Sequence, residues 1–309
     1  MPIKTILVAL SLEDDSGRVA DRAVQLANQH KAQLVGVHAI ENLPRHDSGL
    51  PPSIDMAALA GMIEGQNTRQ LQFLLEAAEQ PAIIHVEAGK PHDIIENLAA
   101  SYQADLIVIG PGVAKNLREK VFGSTADRVV RCAPCPVLVV RKEASAPYGH
   151  IAVGVDFSVH AQAAALQASR LSPTASRELI HAFDIPLGFE QAMRKAGTSQ
   201  ADIDTYREAR AGTARRRFLE IFGEKGRLPK GTRIGIIQED ASTVLIRASR
   251  RKRTDLVALG TQGASAMARH LIGSVARKVL VHAGCDVLVV PPAAARDAGR
   301  QGLPPFRAG

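Results

Sequence analysis

Residues 121–140 read VFGSTADRVVRCAPCPVLVV, and residues 271–290 read LIGSVARKVLVHAGCDVLVV. Ten of the twenty positions are identical at a constant offset of 150. The offset holds upstream, where Asp105-Leu106 matches Asp255-Leu256 and Gly110 matches Gly260. Near the start of each half, Ile6-Leu7-Val8-Ala9-Leu10 parallels Ile151-Ala152-Val153-Gly154-Val155. One long period seen twice indicates duplication of a whole domain, since a solenoid shows several shorter periods. A chain of 309 residues suits two domains of ordinary size. The boundary falls within 142–148, where Ala-Ser-Ala-Pro reads as a linker. The expected domains are therefore 1–143 and 149–291. The tail 292–309, rich in Ala, Gly, Pro and Arg, is expected to be flexible.

Within each half, short apolar runs alternate with helical patterns. Strands are expected at 3–10, 33–40, 82–87, 105–110 and 136–141, and again near 150–155, 178–183, 232–238, 255–260 and 286–290. Amphipathic stretches between them include Arg18–Gln29, Asp55–Gln80, His92–Tyr102, Ser124–Arg131 and Tyr206–Phe222. Strands apolar throughout imply a parallel sheet covered on both faces. The fold class is α/β: two doubly wound, five-stranded, parallel-sheet sandwiches of Rossmann-like type. Ligands of such sheets sit at the carboxyl ends of the strands, where the strand order reverses.

Composition narrows the function classes. Residues 1–143 hold 14 Lys+Arg against 17 Asp+Glu, a net −3, leaving +10 on the remainder. A basic half attracts anions in general. No run approaches the ~18 apolar residues of a membrane span. Met1 leads straight into Ile3–Val8 without a basic n-region and cleavage site, which reads as an untargeted protein of the cytoplasm. Three cysteines cannot all pair within one chain. There is no G-x-x-x-x-G-K-[ST], G-x-S-x-G, H-E-x-x-H or kinase signature, so an enzyme, as a slow ATP hydrolase or another nucleotide-dependent enzyme, is the weaker class. Aromatic residues make up 4% and no nucleic-acid motif occurs, which argues against specific nucleic-acid binding.

The residues that carry chemistry lie after the fourth strand of the second half. Leu256–Leu259 runs into Gly260-Thr261-Gln262-Gly263, and after nine residues come Gly273-Ser274, opening a helix. Glycines permit positive φ and let a phosphate approach without a Cβ in the way. Ser274 is expected to N-cap the helix and offer its hydroxyl, and the helix end favours an anion. Asp156, just past the first strand, is placed to accept from a ribose hydroxyl or help hold a divalent metal. Each short glycine motif is weak alone; the combination of strand, loop, helix and Asp is what carries weight.

These residues resemble the universal stress protein family, and the chain looks like a tandem pair of its domains. The family's G-x-x-G, nine residues, then G-S or G-T is matched by Gly260, Gly263, Gly273 and Ser274. Its first-strand Asp followed by Ser is matched by Asp156-Phe157-Ser158, and its P-V-L-V-V ending by Cys135-Pro136-Val137-Leu138-Val139-Val140. The resemblance spans residues 3–291. It implies a stress-response regulator binding ATP, with or without Mg, in the second domain. Ala182 and Leu259 would border the adenine, Asp156 would meet the ribose or metal, and Gly260, Gly263, Gly273, Ser274 and the Val275 amide would hold the phosphates. The alternative is an interaction module in which neither half binds nucleotide. The resemblance also implies that the two halves pair through their apolar last strands as a pseudo-dimer within one polypeptide, leaving other surfaces for a homodimer.

The first half departs from the pattern. Val113 stands where the second glycine belongs, with Gly112 one place early, and Ser11 stands in place of Asp156. A valine disfavours positive φ and brings a branched side chain to the phosphate side. The first half is expected to scaffold, with a shifted loop through Gly112 as the other possibility. Cys132-Ala133-Pro134-Cys135 is expected to be buried and structural, since two ligands fall short of a zinc site. His38 and His181 are expected to pack or bond backbone. The Arg215-Arg216-Arg217 run and the cluster at Arg247–Arg253 read as solvated faces. The insert 183–200 reads as a mobile loop over the binding mouth, with Leu50–Ser53 in the equivalent place.

Overall fold

The computed structural model describes residues 2–13, 15–41, 55–112, 122–223, 227–263, 271–292 and 294, with the side chain of Leu187 excepted. Val113 and the 50–53 stretch lie outside the described residues, as does nearly all of the tail. The chain divides into two compact units, 1–147 and 148–309.

The first unit runs β1 (Thr5–Ala9), α1 (Ser16–His30), β2 (Gln33–Ile40), α2 (Met56–Leu75), β3 (Ile83–Ala88), α3 (Pro91–Ser101), β4 (Leu106–Ile109), α4 (Ser124–Cys132) and β5 (Val137–Val139). Its strands are all parallel, in the order β3-β2-β1-β4-β5. The second unit repeats the plan: β6 (His150–Gly154), α5 (Val159–Leu171), β7 (Ser176–Phe183), α6 (Leu187–Lys195), α7 (Gln200–Phe222), β8 (Thr232–Gln238), α8 (Ala241–Ser249), β9 (Leu256–Gly260), α9 (Ser274–His282) and β10 (Asp286–Val290). Its order, β8-β7-β6-β9-β10, is again parallel throughout. Each unit is thus a doubly wound α/β sandwich, in which the chain leaves the central strand first to one side and then to the other.

Central strands are apolar on both faces because helices cover both. Ile6, Leu7 and Val8 in β1 and Ile151, Ala152 and Val153 in β6 are fully buried. Helix starts are fixed locally. The Ser158 hydroxyl accepts from the Ala161 N–H at 3.2 Å to begin α5, and the Asp240 carboxylate accepts from the Thr243 N–H at 2.9 Å to begin α8. At the end of β6, a Cβ on Gly154 would stand 2.8 Å from a Leu245 methyl, so glycine there lets α8 close onto the strand.

The insert between β7 and β8 differs from expectation. Its first part forms the helix α6, and α7 begins at Gln200, ahead of the expected Tyr206. Glu190 joins the two, pairing with Arg194 and Arg207 at 2.9 Å each. Ile203, Ala214, Phe218 and Phe222 form the buried face of α7. Spacings of 11, 4 and 4 keep them on one side of a helix. That apolar stripe seats α7, and the Glu190–Arg207 pair ties α6 to it.

Candidate functional site

The crevice between β6 and β9 lies at the point where the strand order of the second unit reverses. Two loops bound it: β6 to α5, carrying Asp156, and β9 to α9, carrying the glycines. Together with β7 and α8 they enclose a cavity of about 530 Å³. All eight residues singled out from sequence line it: Asp156, Ala182, Leu259, Gly260, Gly263, Gly273, Ser274 and Val275. Their individual parts differ from expectation at several points.

None of the three loop glycines sits in the left-handed region, and what each would meet with a Cβ differs. A Cβ on Gly260 would lie 2.7 Å from the Cβ of His160, so this glycine seats the loop against α5 and does not open space for a ligand. A Cβ on Gly273 would lie 3.3 Å from the Thr261 carbonyl oxygen. The Gly273 N–H donates to that oxygen at 2.7 Å, so it is committed within the loop. A Cβ on Gly263 would meet only the Asp156 carboxylate, 3.1 Å from Oδ2. Of the three, Gly263 is the one whose bare face turns to the cavity's polar side.

Gly273 is the N-cap of α9, and no side chain caps the helix. Ser274 is therefore the first helical residue and not the cap, because the carbonyl accepting from the Arg277 N–H at 2.9 Å is that of Gly273. Its exposed hydroxyl and the first amides of the helix, Val275 among them, are left facing the cavity. An uncapped helix start leaves amides and the positive end of the dipole, which favour an anion; α4 in the first unit starts the same way at Gly123.

Asp156 is exposed and held by a tight turn. Its Oδ1 accepts from the Ser158 N–H at 3.0 Å and from the Ser158 hydroxyl at 2.5 Å. Phe157 between them takes φ 65°, a costly conformation for a side chain of this size. Ring packing offsets the cost: Phe157 lies 4.6 Å from His181 and 5.0 Å from Phe218, centroid to centroid. The Arg217 guanidinium sits 4.5 Å above the Phe157 ring, so one member of the exposed arginine run also braces the site's frame.

His181 bonds the Val155 carbonyl oxygen through Nδ1 at 2.8 Å. A carbonyl only accepts, so Nδ1 carries the proton. Burial holds its pKa below the usual histidine value, which keeps the ring neutral. Neighbouring Ala182 points to the opposite face of β7, into the cavity with Val155, Ile180 and Leu259. Leu245 and Ala241 of α8 complete this apolar wall. Sequence reading missed both, although the offset of 150 relates them to Ile95 and Pro91 of the first half.

The first unit has a counterpart cavity of about 390 Å³. The turn and the clasp recur: Leu12 takes φ 61°, and His38 Nδ1 bonds the Leu10 carbonyl at 2.9 Å. Ser11 replaces Asp156 and receives the Glu13 N–H at a long 3.4 Å. Gly112 takes φ 79°, and a Cβ on it would fall 2.7 Å from Gly123 Cα. The shifted glycine thus draws the two loop arms together.

The cysteines are free. Cys135 is buried as expected, and desolvation lifts its thiol to about 12. Cys132 is exposed, correcting the expectation, because it ends α4 on the outer side; burial of part of the thiol and the Glu96 carboxylate beside it raise its pKa. Among the described residues, no group of three or more His, Cys, Asp or Glu is arranged to hold a metal ion. Nor is any described helix long and apolar enough to cross a membrane.

Comparison with known proteins identifies the family. The model of the universal stress protein family matches residues 2–141 and again 147–291. Universal stress protein MJ0531 of Methanocaldococcus jannaschii is 30% identical over 142 residues, covering 45% of this chain and 82% of that protein. The crystal structure of PA1789, a functionally unknown protein from Pseudomonas aeruginosa PAO1, aligns over 96% of this chain and 98% of its own at a TM-score of 0.62 and 20% identity. A universal stress protein solved in complex with cAMP aligns over 46% of this chain and 99% of its own, at 24% identity and a TM-score of 0.37. The chain belongs to the universal stress protein family, as a member with two of the family's domains in tandem.

Proposed function

We propose that the second domain binds an adenine nucleotide, ATP in the first instance, and that the chain acts as a nucleotide-responsive regulator in the stress response. The observation that carries this reading is the meeting of Gly263, Asp156 and the uncapped start of α9 in one cavity of about 530 Å³. The apolar wall of Val155, Ala182, Leu245 and Leu259 suits the faces of an adenine ring. The Ser274 hydroxyl and the Val275 amide donate to the phosphates. Asp156 accepts from a ribose hydroxyl. If Mg accompanies the nucleotide, the phosphates supply most of its ligands, since Asp156 is the only carboxylate lining this cavity among the described residues.

The test is calorimetry of ATP binding to the full chain, together with mass spectrometry of any ligand released on denaturation. Stoichiometric binding that Gly263→Val abolishes, with circular dichroism unchanged, supports the reading. Unchanged affinity in a folded Gly263→Val chain refutes it.

A further inference from the structure

The amino-terminal ends of β7, β8 and β9, at the other end of the strands from the cavity, carry charges that the first unit lacks. Lys230 and Arg233 come from the start of β8, and Arg251, Lys252 and Arg253 from the turn between α8 and β9. Glu178 stands among them. Its Oε2 receives Arg251 at 2.8 Å and Arg253 at 3.4 Å, so one carboxylate holds two guanidiniums side by side. Lys230, Arg233 and Lys252 are exposed, and among the described residues their side chains have no ion pair or hydrogen bond.

The fold does not ask for these charges. At the matching places of the repeat the first unit has Gln80, Ile83, Ser101, Tyr102 and Gln103, with Val35 in place of Glu178. The frame of the edge is nonetheless the same in both units. Asp105 accepts from the Lys4 and Thr5 N–H groups at 2.8 and 3.3 Å, and Asp255 from those of Gly149 and His150 at 2.8 and 2.9 Å. Like charges gathered on one edge repel, so a set that the frame does not need is a cost until something negative meets it.

Two features narrow the kind of anion. The exposed large apolar residues of the second unit, Val159, Phe189 and Leu271, all follow the carboxyl ends of strands, so the basic edge has no apolar centre among the described residues. Protein partners bury an apolar centre, whereas surfaces that meet nucleic acid are more polar and far more positive. Neither 227–233 nor 250–255 contains an aromatic residue, so the edge has no platform on which single-stranded bases stack.

We propose that this edge of the second domain binds the phosphate backbone of a nucleic-acid duplex, without regard to sequence. Guanidiniums fork onto phosphate oxygens, and the pair held by Glu178 presents two of them in fixed positions. Lys230, Arg233 and Lys252 neutralise neighbouring phosphates. Contacts of this kind hold a protein on a duplex but carry no sequence information. The edge acts whatever the cavity at the carboxyl ends binds.

The experiment is fluorescence anisotropy of a short labelled DNA duplex titrated with the full chain, at about 50 to 200 mM salt. Phosphate contacts by Lys230, Arg233, Lys252 and Arg253 should give a slope of log K against log salt of about −3 to −4. Lys252→Gln with Arg253→Gln should weaken binding at least tenfold and reduce the slope by about 2. Lys230→Gln with Arg233→Gln alters only exposed, unpaired side chains and should do the same. Arg215→Gln with Arg216→Gln removes equal charge from α7 and should leave the affinity within about twofold. Absence of binding at about 50 mM salt overturns the proposal. So does a loss from the α7 pair as large as that from the edge pairs, or an affinity that both edge pairs leave unchanged. Tighter binding to single strands or to phosphatidylserine vesicles than to the duplex, or displacement of the duplex by polyglutamate as readily as by unlabelled duplex, overturns it too.

Discussion

Gly263 faces Asp156 so closely that a Cβ on the glycine would stand 3.1 Å from the aspartate Oδ2. A larger residue there must displace the carboxylate or be displaced by it. Gly263→Val should therefore act twice, moving Asp156 and obstructing the approach to α9. Loss of a hydrogen bond to a charged group corresponds to about 1.5–3 kcal/mol, or roughly 10–100-fold in affinity. Gly263→Val should lose at least that, and Asp156→Ala about that, by titration with ATP.

Gly260→Ala should behave differently, because the contact it violates is internal. Its Cβ would meet His160 Cβ at 2.7 Å and the His160 carbonyl carbon at 3.2 Å. Overpacking of this kind costs about 1–3 kcal/mol. Urea denaturation should show that loss, and a loss of affinity without a loss of stability would contradict the role given to this glycine.

His181 gives the stability a pH dependence with a definite sign. Its folded-state pKa lies below the unfolded value because burial disfavours the imidazolium. The unfolded chain therefore takes up the proton first, and stability falls as pH drops below about 6.5. His150 is shifted the same way, again with burial as the largest cause. Unfolding free energy should be flat from pH 7 to 8 and decline towards pH 5, with a shallower decline in His181→Gln. An unaltered profile in that variant would assign the dependence elsewhere.

Thiol labelling should separate the three cysteines. Cys132 is exposed, whereas Cys135 and Cys285 are buried, and the Cys135 thiol is lifted to about 12. Iodoacetamide at pH 8 should modify one cysteine per native chain and three after unfolding. Because the Cys132 thiolate is also disfavoured, even the first reaction should be slower than that of a free thiol.

The sheet was legible from the residues because both signals it depends on are local: apolar runs of strand length and a repeat at constant spacing. The eight residues of the cavity were legible for the same reason, since strand ends and helix starts fix where each one falls. What each glycine does was not. The neighbour that forbids a Cβ on Gly260 is His160, a hundred positions away, and nothing in the loop announces it. The partners of Gly273 and Ser274 likewise depend on where the helix begins, and a shift of one residue exchanges cap for hydroxyl donor. The insert 183–200 was misread because what ties α6 down, the Glu190–Arg207 pair with α7, is a contact between elements that leaves no apolar periodicity. Arg217 was missed as a frame residue because a cation over a ring leaves no pattern in spacing.

In both halves a histidine from the second strand grips the carbonyl just past the first, at 2.9 Å in one and 2.8 Å in the other. The grip is made to backbone, so it asks nothing of the side chains around the mouth. A domain that has lost Asp156's counterpart and its second glycine still holds the mouth in shape. Substitution at those positions therefore leaves the frame of the mouth standing, because the grip that shapes it is made without them.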